Sequence, residues 1–176
     1  MTSQQLIISG VGGQGILFIT RLLAETAIAG GQVVLTSETH GMAQRGGIVI
    51  SHLKVGSFAS PLVRPGQADG LIALKADNVA LHRYFLSKDG WIAANTAAAS
   101  RENGDTIATV DADAIALRLG NPQAVNLIVL GRAVATGRLF CNATEIETAI
   151  RQKFIVKPTL LDGALTTFHA GLESIS

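Results

Sequence analysis

The sequence predicts an α/β fold: one domain, Rossmann-like and doubly wound, with a mostly parallel sheet and helices on both faces. Three observations lead there. Short apolar runs alternate with helical periodicities along all 176 residues. A glycine-rich turn follows the first apolar run. No linker, repeat or low-complexity stretch interrupts the pattern, so the domain is expected to span residues 1–176.

Leu6, Ile7, Ile8 and Ser9 read as a buried strand, and Ile16, Ile19, Leu22, Leu23 and Ala27 then recur at helical spacing until Gly30-Gly31 ends the helix. Residues 32–36 form the expected second strand. Residues 48–55 form a third, hairpin-like and locally exceptional to the parallel arrangement. Its apolar residues crowd both faces before alternating with His52 and Lys54, which suits a half-exposed strand, or an anion held beside Arg45. Gly56 turns the chain toward Phe58, and Pro61, Pro65 and Gly66 punctuate the next loop. Strands are expected at residues 70–75, 90–95 and 105–110, with helices at 77–86 and 111–119; Gly120-Asn121-Pro122 stops the latter, because proline disfavours helical geometry in the residue before it. Residues 125–135 are apolar nearly all round and read as a buried helix, whose Asn126 is either a satisfied buried amide or a contact with a partner. Asn142 and Glu145 have capping-box spacing for a helix to about 154, and Pro158 opens the last one.

Composition narrows the function. With 48% apolar and 15% charged residues the chain can build a sizeable core and is not disordered. A net charge of +1 and 5% aromatic residues offer neither a basic footprint nor stacking platforms for nucleic acid. Cys141 is the lone cysteine, so no disulfide forms within the chain and no iron–sulfur cluster is ligated by this chain alone; it reads as a small apolar filler. The four histidines lack metal-ligand spacing, so no metal site is expected. No apolar stretch reaches the roughly 18 residues of a membrane span, and the first strand begins without a leader, which together suggest the cytosol. Arg64, Arg83, Arg101 and Arg118 read as solvated positions.

Two loops hold the chemistry. Gly10-Val11-Gly12-Gly13-Gln14-Gly15 sits at a strand-to-helix turn and fits the G-x-G-x-x-G template, where missing Cβ atoms allow a tight turn and backbone N–H groups can face a phosphate or carboxylate. The bland reading is a turn that packs the helix against the sheet without a ligand. Dinucleotide binding also needs an acid after the second strand, and Glu38 lies beyond the expected strand end. The second loop runs Ser37-Glu38-Thr39-His40-Gly41-Met42-Ala43-Gln44-Arg45-Gly46-Gly47. Arg45 can fork two hydrogen bonds onto an anion, Gly46 lets backbone approach it, and His40 titrates near neutrality. Alternatively Glu38, His40 and Arg45 pair with one another or with a partner chain, and Met42 plugs a neighbouring chain or pocket. In a doubly wound sheet the first two strands are neighbours, so both loops are expected to face one crevice.

These two motifs, followed by Ser51-His52 and by Ser60-Pro61, Ala68-Asp69, Asn95-Thr96, Val110-Asp111-Ala112, Asn126 and Leu130-Gly131, resemble the gamma-type domain of the 2-oxoacid:acceptor oxidoreductases, in particular the small subunit of indolepyruvate:ferredoxin oxidoreductase. The chain departs from that pattern at Ile48 and Ala164. The resemblance implies oxidative decarboxylation of an aryl 2-oxoacid, with coenzyme A as cosubstrate and ferredoxin as electron acceptor. It implies a large partner subunit holding thiamine diphosphate, Mg2+ and iron–sulfur clusters, with no cofactor bound by this chain alone. No catalytic residue is assigned. Gly10, Gly12, Gly13, Gln14 and Gly15 are the candidate cofactor loop; Glu38, His40, Gln44, Arg45 and Gly46 the candidate substrate or subunit-contact loop. The alternatives are a free-standing nucleotide- or flavin-binding module, or a purely structural subunit. Which 2-oxoacid is used, the stoichiometry, and self-association of the isolated chain stay open at this level.

Overall fold

The computed structural model describes residues 3–40, 46–97, 101–102 and 105–174. Strand β1 (Gln4–Val11) leads into helix α1 (Ile16–Ala29), and β2 (Val34–His40) and β3 (Ile48–Val55) follow. Next come β4 (Ala68–Ala73), α2 (Asp77–His82) with a 3-10 turn at Arg83–Phe85, and β5 (Leu86–Asn95). The remainder is β6 (Arg101–Glu102), β7 (Asp105–Val110), α3 (Ala112–Arg118), α4 (Val125–Ala135), α5 (Ala143–Lys153) and α6 (Pro158–Glu173).

The strands lie in the order β2-β3-β1-β4-β5-β7-β6. β1, β4, β5 and β7 are parallel neighbours, whereas β3 is antiparallel to both β1 and β2 and β6 is antiparallel to β7. β2 therefore runs in the same direction as β1. The α/β architecture and mostly parallel strand direction agree with the sequence, including the hairpin-like exception at β3. One expectation is corrected: β1 and β2 are not adjacent, because β3 inserts between them and pairs with each along its whole length. The chain of β3 returns from β2 as a hairpin and continues its ladder onto β1, where Leu6, Ile7 and Ile8 offer a strand apolar on both faces.

Side chains alternate across the sheet, so Leu6 and Ile8 face one side and Ile7 the other. On the first side Leu53, Ile72 and Trp91 join them beneath Ile19, Leu22, Ile128, Ile146 and Phe168 from α1, α4, α5 and α6. On the second, Ile7, Leu71, Ile92 and Ala94 are covered by Val63 of the β3–β4 loop, Val79 of α2 and Phe85. The second side thus has a thin lid, one short helix and a loop. α4 packs on α6, α3 and the sheet together, which is why eight of its eleven residues are buried.

Other boundaries moved for identifiable reasons. The helix expected at 77–86 ends at His82 and tightens into the 3-10 turn, which delivers Phe85 into the core before β5 starts. β2 extends to His40, so Glu38 lies within the strand, opposite Ser51, and not beyond its end. The capping box of α5 is formed: Asn142 Oδ1 accepts the Glu145 N–H at 3.1 Å and Glu145 Oε2 accepts the Asn142 N–H at 2.8 Å. Among the described residues no helix is long and apolar enough to cross a membrane.

Candidate functional site

The carboxyl ends of β1 and β2 lie at the same rim, with the start of β3 between them. There the Gly12 N–H donates to the Gly47 carbonyl at 2.9 Å, joining the glycine-rich turn to the end of the second loop. The register continues this weld, with Val11 opposite Ile48. The two loops therefore meet, although their strands do not.

Inside the first loop most polar groups already have partners. Gln14 Oε1 accepts the Val11 N–H at 2.7 Å, its backbone N–H donates to Val11 O at 3.0 Å, and its Nε2 reaches toward Leu74 O at 3.5 Å. Gly10 makes room for that amide, since a Cβ there would sit 2.8 Å from Gln14 Oε1. At the far end Gly15 adopts φ 80 as N-cap of α1, and a Cβ would lie 2.1 Å from Asn126 Nδ2. Asn126, half-buried in the first turn of α4, turns its Oδ1 to the Leu127 N–H at 2.7 Å. The glycines thus permit close approach by the chain's own strand β3 and helix α4. The expectation that Gly12 offers its donor to a ligand is corrected, because Gly47 takes it. Gly13, exposed with φ 96, stands at the loop tip.

Across β4, Asn95 reinforces the same rim. Its Nδ2 donates to Leu74 O at 3.2 Å and to Asp113 Oδ2 at 2.9 Å, while Oδ1 accepts the Ala112 N–H at 3.0 Å. Of the second loop, Glu38 is exposed, His40 closes β2 opposite Val49, and Gly46 is exposed with φ 75. Gln44 and Arg45, with Met42, fall outside the described residues.

His52 and Lys54 are not half-exposed as the alternation suggested; 5% and 7% of their surface remains accessible. The β3–β4 loop folds over them, so that the Val63 N–H donates to His52 Nδ1 at 3.2 Å and the Phe58 ring lies 5.0 Å from Lys54 Nζ, while Phe85 of the 3-10 turn meets the imidazole edge-on. Burial lowers the pKa of His52, and the nearby Lys54 and His82 lower it further. Burial likewise lowers that of Lys54, with Arg64 adding to the effect. A second buried group was missed in the sequence: Ser9 Oγ lies 2.9 Å from His82 Nδ1 and accepts the Asn78 Nδ2–H at 2.9 Å. Burial lowers the His82 pKa, partly opposed by a hydrogen bond to the Asn78 backbone. A serine beside an imidazole can be a nucleophile and its base, but Ser9 is fully buried, and here the pair braces α2 against β1.

Both histidines therefore stay neutral in the fold at pH values where the unfolded chain, near its ordinary 6.5, takes up protons. Stability should be fully held above that value and fall as pH drops below it toward the folded pKa values. The urea midpoint is expected to be lower at pH 5.5 than at pH 7.5, and the difference should shrink in a His52→Gln, His82→Gln double variant.

The chain matches the family model described as pyruvate ferredoxin/flavodoxin oxidoreductase over residues 5–174. It belongs to that family. Indolepyruvate oxidoreductase subunit IorB of Archaeoglobus fulgidus is 31% identical, with 94% of this chain and 92% of the relative covered. Among solved structures, the gamma subunit of a keto/oxoacid ferredoxin oxidoreductase from Geobacter sulfurreducens aligns with TM-score 0.76 at 23% identity, covering 97% of this chain and 96% of that one. The 2-oxoglutarate:ferredoxin oxidoreductase from Magnetococcus marinus, with 2-oxoglutarate, coenzyme A and succinyl-CoA bound, aligns with TM-score 0.79 at 16% identity, covering 97% of this chain and 30% of that one. The same fold thus occurs both as a separate chain and as part of a longer one. The family's iron–sulfur clusters do not fit the donors on this chain: such a cluster takes several thiolates, and the chain has one cysteine, Cys141, which is buried. Among the described residues no cluster of histidine, cysteine, aspartate or glutamate could hold a metal ion.

Proposed function

We propose that this chain is the small, non-redox subunit of an indolepyruvate-type 2-oxoacid:ferredoxin oxidoreductase, completing a large partner that holds thiamine diphosphate, Mg2+ and the iron–sulfur clusters. Membership of the family makes it a component of an oxidoreductase for 2-oxoacids. The finer reading rests on its likeness, along nearly the full length of both chains, to a separately encoded indolepyruvate oxidoreductase subunit. The thiamine group, when bound to the partner, would supply the electron sink for decarboxylation of an aryl 2-oxoacid, with coenzyme A taking the acyl group and ferredoxin the electrons. This chain would act in the cytosol and present one rim, built from Gly13, Gly15 and the loop carrying His40, Gln44 and Arg45, to that partner or to an anionic group of its ligands.

The observation that supports this role is the Gly12–Gly47 hydrogen bond, which joins the glycine-rich turn to the end of the second loop. A free-standing dinucleotide-binding module is disfavoured by the same geometry. In that module the acid of the second strand lies one strand from the glycine turn, whereas β3 adds a further spacing of about 4.8 Å here. A test is copurification with the large subunit, followed by assay of indolepyruvate, phenylpyruvate and pyruvate with coenzyme A and ferredoxin. Indolepyruvate turnover should require both subunits. Arg45→Ala is expected to lower complex affinity or turnover at least tenfold, as loss of a charge-assisted contact would. Wild-type assembly and turnover in that variant would remove Arg45 from the role. Retained assembly and turnover after multiple substitutions in both loops would favour a subunit whose rim has no part in ligand binding.

A further inference from the structure

We propose that residues 57–65, in the connection from β3 to β4, form a flap that is latched to the body of the fold through the imidazole of His52 and released by acid. This goes beyond the proposed function and does not depend on it. Gly56 and Gly66 bound the flap with φ 113 and 74, and each is tied down: the Gly56 N–H donates to Val33 O at 2.8 Å and the Gly66 N–H to Tyr84 O at 3.0 Å. Between these two points, apart from a local turn in which Arg64 O accepts the Gln67 N–H, one hydrogen bond joins the flap to the rest of the described residues. It runs from the Val63 N–H to His52 Nδ1 at 3.2 Å. Val63, only 3% exposed, is also the flap's contribution to the cover over Ile7 and Leu71, so whatever loosens this bond loosens that cover.

A backbone amide can only donate, so the latch exists only while Nδ1 carries no proton, and the neutral ring must be the Nε2–H tautomer. Protonation sets N–H against N–H. It also adds a cation where the neighbouring charges share its sign: Lys54 stands two positions on along the same face of β3, and His82 comes from α2. Arg64, beside Val63 in the flap, acts on Lys54 in turn. Ile7 of β1 and Ser37 of β2, the residues opposite His52, bring no charge, and Phe85 meets the ring edge-on. Burial is the larger part of what keeps this imidazole neutral, and the flap supplies some of that burial. Lifting Val63 away returns the ring to water and toward its ordinary 6.5, so the open flap binds the proton better than the closed one. The closed state is therefore fully held above that value and gives way as pH falls toward the lowered pKa of the latched ring.

Amide hydrogen exchange of the full chain between pH 7.5 and pH 5.5, expressed as protection factors so that the intrinsic pH dependence drops out, reads the flap directly. The Val63 amide should lose protection about tenfold per pH unit below 6.5, one proton being taken up on opening. The amides of Gly56, Gly66, α1 and α4 should hold theirs over the same range, which separates release of the flap from unfolding of the whole domain. His52→Asn leaves a carbonyl acceptor near the place of Nδ1 without a titrating group, and should make Val63 protection independent of pH. His82→Asn should keep the Val63 response. If the His52 variant does not fold, ring nitrogen shifts of the wild-type chain decide, with the Nε2–H tautomer of His52 expected at pH 7.5. A Val63 amide indifferent to pH overturns the proposal, as does loss of protection in parallel through α1 and α4. So does an Nδ1–H tautomer, or a response that vanishes in His82→Asn, which would assign the titrating group to α2.

Discussion

Replacing Gly171 with alanine is expected to destabilise the fold by about 3 kcal/mol, while the same change at Gly163, in the same helix, should stabilise it by up to about 1 kcal/mol. Both glycines lie in α6, where alanine is intrinsically the better helix former, so propensity alone gives them one sign. The surroundings differ. A Cβ at Gly171 would lie 2.0 Å from the Ile128 carbonyl oxygen and 2.8 Å from its carbon, and both are backbone atoms of α4. From the other side, a Cβ at Gly131 would lie 2.2 Å from Phe168 O. Neither contact can be relieved by rotating a side chain; the helices must separate, loosening Phe168 and Ile128, both fully buried. At Gly163 a Cβ meets nothing within 4 Å. Urea midpoints at constant m value measure both changes, and equal effects at the two positions would mean the helix crossing is not as tight as described.

The features legible in the sequence were those whose cause is local. The α1 periodicity, the Asn142–Glu145 cap and the hairpin pattern of β3 each depend on residues a few positions apart, and each formed where expected. Strand order is a different kind of property. A strand such as β1, apolar on both faces, accepts either β2 or β3 as neighbour, and nothing in residues 32–36 says which. His52 and Lys54 failed for a related reason: their alternation with apolar residues is that of a solvated face, and only the return of Val63 and Phe58 encloses them. The candidate site divides in the same way. Glycines at 10, 12 and 15 marked a place of close approach, but the approaching groups come from Gln14, Gly47 and Asn126, so the template could not distinguish a ligand from the chain itself. Ser9, Asn78 and His82 carried no shared motif, because the parallel pairing of β1 with β4 is what brings α2 over Ser9.

Gly15→Ala is expected to cost about 3 kcal/mol, of which only part is the price of a left-handed residue. At φ 80 any L side chain is strained by about 1–2 kcal/mol, and the remainder should come from the Cβ meeting Asn126 Nδ2 at 2.1 Å. Asn126 can swing away, but then Leu127 loses the Oδ1 acceptor at 2.7 Å in the first turn of α4. Gly13 separates the two causes, since its φ of 96 carries backbone strain while a Cβ there meets nothing within 4 Å. Gly13→Ala should therefore show the strain alone. Asn126→Ala by itself should cost about 1 kcal/mol, the ordinary loss of a hydrogen bond to a first-turn amide. Combined with Gly15→Ala it should be less damaging than the sum, with a coupling of about 1 kcal/mol, because removing the amide removes the obstruction. Strict additivity would mean that α4 does not press on the glycine turn. The coupling would instead show that the start of α1 and the start of α4 form one rigid unit, whose geometry is set before any partner arrives.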